Sequence, residues 1–250
     1  MLSAPTYAQL KDVDPDRCRA AVFGSKSERE SLTLLYAFHY ELAKVPELVS
    51  EPMIGQIRYQ WWRDVLAEIY EGRKVRSHEI TTPLEGLLKS NDVPRFWCDR
   101  LIDGRERDLD PRPFAGLAEA KDYCRQTSGT LRQIAVKLLG RQPNEGALDL
   151  GEAWGLTGLA RSYGYYDKGM LSQVDFAQIC EEAERQYIRA RAGLGELQKQ
   201  AFPALAYGSL IQKYLKKLTF SGHDPVTMMV SYSPLAKRAH LLCAVIKGSV

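Results

Sequence analysis

Residues 29–47 read RESLTLLYAFHYELAKVPE. Leu32, Leu35, Tyr36, His39 and Ala43 recur at spacings of three and four. That period places them on one face of an α-helix, because successive helical residues turn by about 100°. The pattern predicts a helix over 27–44, with Ser27 and Glu30 suited to its start. Pro46 disturbs the end, since it lacks an N–H and crowds the turn before it.

Working outward, the same period dominates the chain. Ile54, Ile57, Trp61, Val65 and Ile69 form a stripe over 51–71, with Pro52 fitting the first turn and Gly72 the exit. Short apolar helices are expected over 83–89 and 93–104, then a charged, proline-rich turn over 103–113. A long helix is expected over 117–139, kinked at Gly129. The stretch 146–163 is rich in Ala, Leu and Gly, which favours close helix contact. An amphipathic helix over 175–200, another over 202–218 and a last over 235–247 complete the reading. No Asn-Gly or Asp-Gly turn separates alternating apolar runs, so strand signals are weak. The expectation is an all-α single domain, 1–250, of eight to ten helices.

Composition narrows the function classes. The chain has 250 residues, 34 basic against 31 acidic side chains, and a net charge of +3. Nucleic-acid binders carry a marked basic stripe, so no nucleic-acid partner is expected. The five cysteines, Cys18, Cys98, Cys124, Cys180 and Cys243, are widely spaced and form no Cys-x-x-Cys pair. None falls at a zinc-ligand interval from His39, His78, His223 or His240. Reduced, mostly buried thiols and a cytoplasmic setting fit this pattern. No run reaches the roughly 18 apolar residues of a membrane span. Any membrane contact is therefore expected to be peripheral, at the inner face. His223–Asp224 sits in a Gly/Pro loop with no visible nucleophile, so serine-type hydrolysis is not expected.

Three stretches resemble the squalene/phytoene synthase family: Arg29–Glu47, Asp122–Gly140 (DYCRQTSGTLRQIAVKLLG) and Ala153–Tyr166 (AWGLTGLARSYGYY). The resemblance implies an isoprenoid synthase-like helical bundle around a central cavity. It also implies two acidic helices whose carboxylates hold magnesium against a prenyl diphosphate. Hard divalent cations with oxygen ligands suit that task. Here the implied acidic positions read otherwise. Ala43 and Lys44 stand in the first motif, with Glu47 beyond Pro46. Gly158 and Ser162 stand in the third, and Tyr165 and Tyr166 replace a distal acidic pair. The segment that follows, DKGMLSQ, looks shortened. So no cofactor and no catalytic or metal residue is expected; magnesium enters only under the alternative reading of a prenyl-diphosphate transferase.

Glu41–Tyr70, Asp103–Asp110 and Phe202–Leu218 further resemble the complex I assembly-factor branch of this superfamily. That resemblance implies a non-catalytic protein binding a partner, such as a respiratory-complex subunit, or an isoprenoid-like lipid in a residual cavity. A plain structural subunit is the third class. Candidate cavity residues carried over from the motifs are Arg29, Tyr36, Phe38, Tyr123, Gly129, Arg161 and Tyr165. Arg29 and Arg161 suit an anion, or a salt bridge with Glu41 or Glu47. Tyr36, Phe38 and Tyr123 serve equally as core residues, a tyrosine then needing a partner for its hydroxyl. Tyr59, Trp61 and Trp62, with the lysines of the C-terminal region, suit either a docking patch or ordinary core plus solvated charge.

Overall fold

A computed structural model describes residues 2–166, 168–248 and 250. Among them there are helices and turns and no strand. The helix read from residues 29–47 is α3 (Lys26–Ala43). Its cap lies two residues earlier than the sequence suggested. Ser25 accepts from the Glu28 N–H, and the Glu28 side chain accepts from the Ser25 N–H, a reciprocal capping box. Pro46 sits in a 3₁₀ turn, Val45–Leu48, where its missing N–H costs nothing. Leu32 through His39 are all buried, so α3 is enclosed on every side rather than on one face.

Two helices precede it that the periodicity did not reveal. These are α1 (Ala4–Val13), capped by Ser3, and α2 (Pro15–Ala21). Both carry proline in the first turn, the position where a proline is tolerated. Next come α4 (Pro52–Tyr70), α5 (Thr81–Ser90) and α6 (Arg95–Glu106). The charged stretch expected as a turn is partly helical, since α6 runs to Glu106 before a 3₁₀ turn over Arg107–Leu109.

The long helix over 117–139 is three segments in one rod: α7 (Leu117–Cys124), a π turn (Arg125–Gly129) and α8 (Thr130–Leu138). The Thr130 N–H donates to the Arg125 carbonyl five residues back. Beside it runs α9 (Glu145–Arg161), also buried on nearly all faces. Glycines allow its approach. A Cβ on Gly151 would lie 2.5 Å from the Ser128 carbonyl oxygen and 2.6 Å from the Gly129 Cα. A Cβ on Gly146 would lie 2.5 Å from the Leu194 amide nitrogen.

A single turn, α10 (Tyr163–Tyr166), follows, and then α11 (Phe176–Leu194), capped by Asp175. The helix expected over 175–200 breaks at Gly195, whose φ of 53° favours glycine. Its remainder is α12 (Leu197–Gln200). The helix expected over 202–218 is likewise divided, into α13 (Phe202–Leu205), a 3₁₀ turn (Ala206–Ser209) and α14 (Leu210–Leu218). The last helix is α15 (Pro234–Lys247). Buried apolar side chains from Leu10 to Val250 join in one core cluster. Cys18, Cys98, Cys124 and Cys180 are buried free thiols and Cys243 is exposed. Burial pushes the Cys18 and Cys98 thiols up to about 12. Among the described residues, no helix is long and apolar enough to cross a membrane.

Candidate functional site

The first and third of the stretches singled out in the sequence meet around one end of α3. A cleft of about 410 Å³ lies there, lined by the α1–α2 junction, the end of α3, Glu47, Trp154 and Arg161 of α9, and Lys237 of α15. Ala43, Glu47 and Arg161 thus share one opening, although they are far apart in sequence.

Its charges are mostly committed. Asp14 accepts from Arg17 at 2.7 Å. Asp16 is buried and takes Lys237 at 2.9 Å, Arg19 at 3.2 Å and the Tyr214 hydroxyl at 2.8 Å. Arg161 stacks its guanidinium 4.1 Å from the Tyr214 ring centre and directs Nε toward the Val230 carbonyl at 3.4 Å. Lys44 does not point a charge at a metal position; it pairs with Glu41 at 2.5 Å.

Beneath the cleft the interior is cationic. Arg17 is almost fully buried, its guanidinium 5.9 Å from the Tyr36 ring and 5.3 Å from the Tyr207 ring. Arg132 is fully buried and lies 4.0 Å from the Tyr207 ring. Its Nη1 donates to the Leu205 carbonyl at 3.3 Å. Gly208 leaves room for it, since a Cβ there would stand 3.0 Å from Arg132 Nη1. Burial, and then the charge of Arg17, lower the proton affinity of Arg132. A guanidinium nevertheless stays charged in proteins. An unpaired buried charge costs several kcal/mol, so this cluster is maintained against the preference of the core.

Beside it, at His39 of the cleft wall, Arg105 organises a second polar group. It donates to the Tyr123 hydroxyl at 2.7 Å, to Asp108 at 3.1 Å and to His39 Nε2 at 3.0 Å. His39 is buried, and burial holds its pKa well below the usual value, with the Arg105 and Arg17 charges adding to the effect. A neutral ring with an acceptor Nε2 follows. Burial raises the Tyr123 phenol. The Tyr59 hydroxyl lies 3.0 Å from the Leu42 carbonyl and 2.9 Å from that of Arg105, tying α4 to α3 and α6.

The residues present do not suit a magnesium cluster. Asp14 and Asp16 are already neutralised by cations, Glu47 is exposed on the rim, and Ala43, Gly158 and Ser162 carry no carboxylate. Among the described residues no group of three or more His, Cys, Asp or Glu side chains comes together to hold an ion.

The remaining candidates lie elsewhere. Arg29 lines a groove of about 520 Å³ with Leu2, Tyr7, Leu34, Pro83 and Leu87, away from the Arg161 cleft. Tyr36 and Phe38 are fully buried, Phe38 packing edge-on against Trp62 at 5.1 Å. Gly129 sits in the helix contact with Gly151 and Leu148. Tyr165 is 80% exposed, against the ring of Tyr166. Tyr59 and Trp62 are buried and Trp61 half-buried, so these three rings are not an exposed patch. His223 lies near Phe176 and has no nucleophile beside it in that contact. Sequence reading missed Arg17, Arg105 and Arg132. For Arg132 a signal existed: Ala135, Val136 and Leu139 follow it at helical spacing, leaving one charge on an apolar stripe.

The sequence profile of the squalene/phytoene synthase family matches residues 10–170. The chain belongs to that family. Among curated relatives of this squalene/phytoene synthase family member are two mammalian proteins, each named NADH dehydrogenase (ubiquinone) complex I, assembly factor 6. The one from Mus musculus is 26% identical over 226 residues, covering 79% of this chain and 67% of the relative. The one from Homo sapiens is 26% identical over 219 residues, covering 76% and 66%. The match therefore spans about two thirds of those relatives' length. Among solved structures, a dehydrosqualene synthase in complex with ligand superposes with a TM-score of 0.71 at 16% identity, covering 98% of this chain and 96% of that one. Squalene synthase HpnC from Alicyclobacillus acidocaldarius gives 0.66 at 13% identity, covering 97% and 92%. At these identities the likeness fixes the isoprenoid synthase fold of the chain and nothing finer.

Proposed function

We propose that this family member performs no prenyl transfer and acts by binding a protein partner during assembly of a respiratory NADH dehydrogenase. The observation that carries this reading is the cleft where Ala43, Glu47 and Arg161 meet. Its interior charge is supplied by Arg17, Lys237 and Arg161, and its two aspartates are held by cations. A departing diphosphate needs bound metal to neutralise it, a contribution worth several kcal/mol in the transition state. This cleft offers no uncommitted pair of carboxylates to seat that metal. The name shared by the relatives supports the assembly role, and the exposed apolar residues Leu235, Leu242 and Ile246 along α15 offer a surface for a partner.

Lipid binding is the second reading, favoured by the groove of about 520 Å³ between α1, α3 and α5. Any membrane contact is then peripheral, and no cofactor is required. The test has two parts. Incubation with farnesyl or geranylgeranyl diphosphate and magnesium should release no diphosphate above a protein-free control; magnesium-dependent release would refute the non-catalytic reading. Affinity capture of the tagged chain from its own cells should enrich NADH dehydrogenase subunits. Their absence, with co-purified lipid found by mass spectrometry, would favour the lipid reading instead.

A further inference from the structure

The interior cluster behind the cleft has an unbalanced inventory. Arg132 Nε and Nη2, Arg17 Nε and the Tyr36 hydroxyl are all buried and have no hydrogen-bond partner among the described residues, and the buried Tyr207 hydroxyl has only the guanidiniums of Arg17 and Arg132 beside it to accept from. The four side chains belong to α2, α3, α8 and the 3₁₀ turn before α14, so they converge from separate parts of the chain. Their proximity is direct. The Arg17 guanidinium faces the rings of both tyrosines and that of Arg132 faces Tyr207. Asp14 answers Arg17, whereas Arg132 has no carboxylate within ion-pair distance among the described residues.

We propose that Arg17, Tyr36, Arg132 and Tyr207 form an interior site for one small inorganic anion of the halide class, reached through the cleft whose lining includes Arg17. Guanidinium groups only donate, and a phenol's O–H is a donor as well. A monatomic anion accepts from several directions at once and also supplies the missing negative charge. Water could satisfy some donors but would leave the Arg132 charge uncompensated. Tyr36 does not supply that charge, because burial holds its phenol protonated well above its usual range. The side chains involved are 0–6% exposed, which favours a compact ion over an oxyanion with several oxygens to place.

The site is independent of the assembly reading and of the lipid reading. Bromide is the probe. Crystals of the full chain grown in sodium bromide should show an anomalous peak within about 3.5 Å of Arg132 Nη2 or the Tyr36 hydroxyl. In solution, replacing gluconate by chloride at constant ionic strength should raise Tm by about 3 °C once chloride is in roughly tenfold excess over its dissociation constant. Arg132→Met, which keeps bulk and removes the charge, should abolish that dependence. No bromide peak, with density for water or an oxyanion at the cluster, overturns the proposal. So does a chloride effect of equal size in Arg132→Met. If that variant fails to fold, the bromide map of the wild-type chain decides alone.

Discussion

Gly151→Ala and Gly158→Ala add the same methyl group to the same helix, α9, and the structure assigns them opposite signs. At Gly151 the new Cβ would stand 2.5 Å from the Ser128 carbonyl oxygen, 2.6 Å from the Gly129 Cα and 3.0 Å from its amide nitrogen. All three are backbone atoms of the π turn, so no side chain can swing aside. Relief requires the two helices to part by most of an ångström in a close-packed core. Overpacking of this kind costs about 3 kcal/mol, and the better helix propensity of alanine returns about 1, leaving a net loss of about 2 kcal/mol. At Gly158 nothing lies within 4 Å of the built Cβ. There the propensity acts alone, and the variant should gain up to about 1 kcal/mol. The two variants should differ by about 3 kcal/mol, or roughly 6–12 °C in Tm for a chain of this size. Urea denaturation followed by far-UV circular dichroism, with thermal melts alongside, measures both. A Gly151→Ala variant as stable as the parent would refute the close-approach argument. A Gly158→Ala variant that falls equally would show the cost to be general to α9.

Two further outcomes follow from the charge arrangement. His39 is held neutral when folded, with its pKa below that of the unfolded chain, so the unfolded state binds a proton that the folded state refuses. Stability is therefore full above about pH 6.5 and falls below it, by up to about 1.4 kcal/mol per pH unit. His39→Gln, which still offers an acceptor to Arg105, should flatten that slope in urea titrations run between pH 7.5 and 5.5; an unchanged slope would place the titration elsewhere. Arg125 pairs with buried Glu152 at 3.2 Å and buried Asp149 at 3.4 Å, and also with Glu145. Arg125→Met should cost about 2–3 kcal/mol at pH 7. That is moderated because Arg125 is 36% exposed and Asp149 retains Arg189 at 2.9 Å. Burial raises the Glu152 carboxyl, so the deficit should shrink in acid; a deficit independent of pH would contradict the ion-pair account.

Periodicity made the long helices legible because α3, α4 and α11 each bury a regular set of side chains. It failed where helices are short. α1 and α2 together supply few apolar side chains at helical spacing, and prolines in their first turns read as breaks when they are starts. Gly195 ends α11 through a left-handed φ that a run of charged residues does not announce. The cap at Ser25 was misplaced because Ser27 with Glu30 offers the same spacing two residues on. The family motifs located the cleft: Ala43, Glu47 and Arg161 do line it together. They could not locate Arg17, Arg105 or Arg132, since a buried arginine is recognised by its three-dimensional neighbours, and its residue type argues for the surface. Placement of Arg29 in a separate groove had no local signal, because helical period sets the face a residue occupies and says nothing of which helix covers it.

The surplus residue accommodated at Arg125–Gly129 decides where two arginines go. Seven positions along an uninterrupted α-helix amount to 700°, only 20° short of two full revolutions, so Arg125 and Arg132 would share a side of the rod. The wider turn retards the phase by roughly a quarter revolution. One arginine is thereby delivered to the acidic flank of α9, and the other is rotated inward against Tyr207. A single-residue deletion in that segment would regularise the hydrogen bonding yet keep both directions, since six α-helical positions amount to 600°, a third of a revolution from alignment.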